Sequence, residues 1–155
     1  MMIEIKYLVF LFFFFIFFFE DIRKHSVNNI VFIMYLIAGI VLIANGLILS
    51  FQQLNNINYY KIFEVAMSFM LGGLIYLLSI LSKEAIGKGD ALYFIINGLY
   101  LSFMENVLLF VFGIFVSTLI SIFLYIKHKG RVKNIMIPFI PCLLPTIIWR
   151  LICIL

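Results

Sequence analysis

Aspartate is nearly absent from this chain: 155 residues hold two, Asp21 and Asp90. Charge of any kind is scarce, at 12% against 66% hydrophobic, and mean hydropathy is +1.23. That scarcity excludes a soluble domain, because a small globule leaves much of its surface in water and would expose most of these side chains. The excess of positive charge is small, +4, and is spread over short polar stretches. Such a pattern orients membrane segments and is not a nucleic-acid-binding patch, so no nucleic acid is expected as a partner. The only two cysteines, Cys142 and Cys153, fall in one expected helix about three turns apart and cannot bridge each other. With no Cys-x-x-Cys and no histidine cluster, neither a metal nor another cofactor is expected.

What the chain does have is long apolar runs. About 20 residues of helix cross the hydrocarbon of a bilayer. Runs at 5–19, 30–49, 62–81, 91–104, 107–126 and from 137 onward predict an all-α, polytopic integral membrane protein of about six helices. Residues 1–155 then form one membrane-embedded unit, and the function is exercised in the bilayer or at its edge. The first run lacks the small-residue cleavage site of a signal peptide and reads as a retained span. In the third, Ser68 lies four residues before the pair Gly72-Gly73, a small-residue pattern that permits close helix contact in lipid. The fourth run is short for a crossing, weakened by Asn97 and Gly98, with Glu105-Asn106 as a turn after it. Glu64 and Arg150 read as residues snorkelling to the interface, and His25 as part of a solvated basic loop.

Six spans make the orientation checkable. Loops after the first, third and fifth spans hold Arg23, Lys24, Lys83, Lys88, Lys127, Lys129, Arg131 and Lys133, eight of the eleven basic residues. The positive-inside rule places those loops in the cytoplasm and both termini outside. It also places Asp21, where the first run meets the loop 20–29, on the same face as Asp90, which opens the fourth. Carboxylates at the edge of the hydrocarbon are costly unless paired, protonated or hydrated. Two held close cannot both ionise easily: one keeps a proton and the other can activate water. That division suits general acid–base hydrolysis of a peptide bond.

The residues around the two aspartates sharpen this. Asp21-Ile22-Arg23-Lys24-His25-Ser26-Val27-Asn28-Asn29 resembles the Asp-x-x-x-x-x-Ile-Pro-Asn stretch of type IV prepilin peptidases. Gly87-Lys88-Gly89-Asp90 is similar to their Gly-x-Gly-Asp motif, and Ile137-Pro138-Phe139-Ile140-Pro141 to the Ile-Pro-Phe-x-Pro stretch that opens their last span. Asn28 stands where the family usually has proline, and Leu92 where a lysine is common. The resemblance implies an intramembrane-type aspartic peptidase with Asp21 and Asp90 as its catalytic pair, and Gly87, Gly89 and Asn29 as supporting motif residues. Its expected partner is a prepilin or pilin-like substrate, cut after a glycine between a basic leader and a hydrophobic helix. The expected place is the cytoplasmic face of a prokaryotic plasma membrane. The large cysteine-bearing insertion of the bifunctional members is missing, so peptidase activity alone is implied. The alternative is a non-catalytic relative or a small membrane assembly or transport subunit.

Overall fold

The computed structural model describes residues 2–24, 26–52, 59–81, 87–127 and 138–154. Six α-helices follow in order: α1 (Met2–Lys24), α2 (Asn29–Gln52), α3 (Tyr59–Leu81), α4 (Lys88–Asn97), α5 (Phe103–Lys127) and α6 (Leu144–Ile154). A 3-10 turn, Ile140–Leu143, leads directly into α6. Helices α2, α3 and α5 are long and apolar enough to cross a membrane, and a shorter apolar helix covers Ile140–Ile152. The protein is an all-α membrane protein, as its hydropathy predicts.

Its surface and its interior are arranged for lipid. Phe12, Leu8, Met70, Leu81, Phe115 and Phe123 are exposed, whereas Asp21, Ser68, Ser79, Asn97 and Asn106 are buried. Polar groups in a bilayer must find partners inside the protein, which is why the amides and hydroxyls turn inward. The phenylalanine block of α1 looks uniform in sequence, yet Phe10, Phe13, Phe14 and Phe17 are buried while Phe12, Phe15 and Phe19 are exposed. Those buried positions recur at the i, i+3, i+4, i+7 spacing of one helical face. Phe17 then meets Phe32, Tyr35 and Tyr93 with ring centroids 4.9, 5.4 and 5.3 Å apart.

Helix α4 is the centre of the assembly. Its ten residues rise about 15 Å, roughly half the hydrocarbon thickness. Ala91, Tyr93, Phe94, Ile96 and Asn97 are all buried in it. It packs chiefly against α3, where Gly72 brings the two backbones together: a Cβ there would lie 2.6 Å from Ile95 N and Cα. Ser68 fits against Gly98 in the same seam, so two of the three small residues expected to pack do so. Gly73 has open space around it instead. The Tyr35 hydroxyl donates to Asn97 Oδ1 at 2.8 Å, and Asn106 Nδ2 donates to the Phe94 carbonyl at 3.0 Å, fixing α4 to α2 and α5.

The fourth element ends at Asn97, short of the expected 104, because Asn97-Gly98 breaks it and a buried turn through Leu101 follows. Irregular backbone at this depth is tolerated where protein surrounds it. Glu105 and Asn106 belong to the first turn of α5 and not to a loop. Ser102 N–H donates to Glu105 Oε2 at 2.9 Å, half of a capping box. Arg150 does more than snorkel: it forms an ion pair with Glu105, and its Cζ sits 4.7 Å from the Tyr7 ring centroid. That contact ties α1, α5 and α6 together at the end away from Asp21. Cys142 lies in the 3-10 turn and not in the same regular helix as Cys153.

Candidate active site

Asp21 lies on the last turn of α1, because the helix continues past the apolar run to Lys24 instead of stopping at Glu20. Its side chain is 7% exposed. Oδ2 accepts the backbone N–H of Ile140 at 3.1 Å, across 119 residues of sequence. The chain leaving α1 is folded back tightly. Glu20 Oε2 accepts the N–H of Asn28 at 3.0 Å, and Asn28 Oδ1 accepts the N–H of Ile30 at 3.1 Å. Asn28 is therefore the N-cap of α2, a role for which asparagine is among the best residues. Asn29, expected to support the motif, is the exposed first residue of α2. His25 lies outside the described residues.

Asp90 sits in the first turn of α4, ahead of the buried apolar residues of that helix. Gly87 is the N-cap, with φ −61° and ψ 136°, so its conformation is open to any residue. What a larger residue there would crowd is the Asp90 carboxyl. A Cβ at position 87 would stand 2.9 Å from Asp90 Oδ2. At Gly89, by contrast, a Cβ would meet nothing within 4 Å. Leu92, two residues after Asp90, is exposed.

The fold brings the two aspartates together. Burial disfavours the charged form of Asp90, the negative charge of Asp21 adds to that effect, and a backbone hydrogen bond from Gly87 opposes it. The Asp90 carboxyl is pushed up from the ordinary carboxylate range to about 7. Both carboxylates also act on the Cys142 thiol, two residues past Ile140. The site is thus the meeting point of the end of α1, the start of α4 and the 3-10 turn. Sequence reasoning named both aspartates and the stretch containing Ile140, but not the Ile140 amide as a partner, since a backbone N–H leaves no trace in residue identity. Among the described residues, no group of three or more His, Cys, Asp and Glu could hold a metal ion.

A pair of this kind gives a proton donor and an acceptor at one place near neutral pH. It also makes stability depend on pH. The folded-state pKa of Asp90 is raised, so the native state holds a proton that the unfolded chain has released, and stability falls as pH rises towards and through 7. Asp90→Asn removes that ionisation. Its Tm should exceed that of the native protein most at pH 8, and the gain should shrink steadily as pH is lowered to 5. Thermal unfolding in detergent across that range checks this, and a pH-independent difference would contradict it.

No curated protein and no solved structure matches the chain. One family model does, over residues 8–126, a stretch that contains both aspartates and stops before the 3-10 turn. It describes peptidases, and it covers more than half of the sequence. The chain belongs to the type IV leader peptidase family.

Proposed function

We propose that the protein is an aspartic endopeptidase that removes the short basic leader from prepilins or pilin-like proteins. The observation that carries this reading is the meeting of Asp21 and Asp90 at one buried place, where burial first and the Asp21 charge second raise the pKa of Asp90. In a leader peptidase, a carboxylate pair sharing one proton is sufficient for hydrolysis: the ionised member takes a proton from water and the protonated member gives one to the substrate. Gly87 keeps room for the Asp90 carboxyl, and the open space at Gly89 leaves a peptide backbone free to approach it. Asn29 begins the helix that follows Asp21.

The cut falls after a glycine, between the basic leader and the hydrophobic helix. The dyad faces the cytoplasm on the side of the basic loops, in the plasma membrane of a prokaryote, with both termini outside. Residues 1–155 act as one peptidase unit whose other partner is the bilayer itself.

Purified protein in detergent, given a synthetic prepilin-like peptide with a basic leader, a glycine and an apolar helix, is expected to release the leader. Mass spectrometry should find one new terminus, immediately after the glycine. An intact peptide after prolonged incubation, with the protein shown to be folded, would favour a non-catalytic relative.

A further inference from the structure

We propose that the backbone N–H of Ile140 makes this residue the positioning residue of the dyad, fixing Asp21 as the ionised, water-activating member and leaving Asp90 to carry the proton. This rests on the peptidase reading above and deepens it. Ile140 begins the 3-10 turn that runs into α6, so its N–H has no carbonyl partner within that helix. Asp21 Oδ2 supplies the acceptor at 3.1 Å. An N–H at that oxygen favours the carboxylate over the carboxylic acid, whose hydroxyl oxygen is a poor acceptor.

The donor is held firmly. Pro138 and Pro141 flank it, each with its φ fixed and with no N–H of its own to offer. The Ile140 side chain is 1% exposed, buried in the core, and the Cys142 N–H closes the turn on the Phe139 carbonyl at 2.9 Å. Among the described residues, titratable groups that act with Asp21 from other elements include Asp90 on α4 and the Cys142 thiol. Its own helix adds Glu20, Arg23 and Lys24, of which Glu20 faces Lys24 at 4.0 Å and accepts from Asn28. Lys88 is exposed at the start of α4. What Ile140 adds is a hydrogen bond donated from buried backbone, held in place by the turn around it. Asp90 receives a backbone hydrogen bond from Gly87, but burial and the neighbouring charge outweigh it.

The division of labour then balances. Asp21 takes a proton from water, the hydroxide oxygen bonds to the scissile carbonyl carbon, and Asp90 gives its proton to the carbonyl oxygen. The resulting gem-diol returns a hydroxyl proton to Asp90 as Asp21 protonates the amide nitrogen and the C–N bond breaks. Acid and amine leave, and each aspartate recovers its starting state.

Replacing isoleucine 140 by its α-hydroxy acid turns the amide into an ester, which removes the N–H, keeps the side chain and weakens the Phe139 carbonyl as acceptor for Cys142. The acid limb of the kcat/KM pH profile should move up by about one pH unit, seen as about a tenfold loss on that limb with a smaller loss on the plateau. Ile140→Ala keeps the N–H, so its acid limb should stay in place even as its Tm falls. An ester variant with the native limb, or an alanine variant shifted as far as the ester, overturns the proposal. Undiminished cleavage by Asp21→Asn would instead overturn the peptidase site itself, so the two failures are distinct.

Discussion

Asparagine in place of either Asp21 or Asp90 is expected to slow leader cleavage about a thousandfold or more, with the fold retained at neutral pH and, for Asp90→Asn, a raised Tm. The substitution keeps the shape of the side chain and removes its ability to exchange a proton. At position 21 the amide oxygen can still accept the Ile140 N–H, so the junction of α1 with the 3-10 turn survives. At position 90 the change relieves the burial of an ionisable group beside another carboxylate. A dyad acting as one unit makes the double variant scarcely slower than either single one. Single-turnover cleavage of the leader peptide, with folding followed by circular dichroism, measures all three. A variant that retains cleavage within tenfold of the native rate removes its residue from the dyad.

The scarcity of aspartate is what singles out the proposed site. In a chain with so little charge, two carboxylates at equivalent span ends stand out, and family motifs surround both. The helical character of every long run was equally plain. Less visible was which face of each helix turns inward, because lipid is as apolar as a protein core and hydropathy cannot separate them. Phe13 and Phe15 are the same residue type, yet one packs on Tyr35 and the other faces outward. Contacts between distant segments were also hidden, since nothing local links Tyr35 to Asn97 or Glu105 to Arg150. The Ile140 amide was hidden more deeply still. Its stretch is recognisable, but its role belongs to the backbone, and the family match over residues 8–126 ends before it.

The adjacent glycines of α3 give the sharpest structural contrast. Gly72→Ala should destabilise the protein by about 2–3 kcal/mol, the upper part of the range for overpacking. The new methyl would stand 2.6 Å from Ile95 N and Cα, and backbone atoms within a helix cannot rotate away as a side-chain tip can. Relief requires α4 to move off α3 as a body. Since α4 also carries Asp90 in its first turn, the same displacement shifts that carboxyl relative to Asp21, and cleavage should fall with Tm. Gly73→Ala meets nothing within 4 Å and exchanges glycine for the best helix former, so it should be neutral or stabilising by up to about 1 kcal/mol. Thermal unfolding of both variants in the same detergent separates close approach from helix propensity. Equal effects at the two positions would mean that the α3–α4 seam does not hold the spacing on which the placement of Asp90 depends.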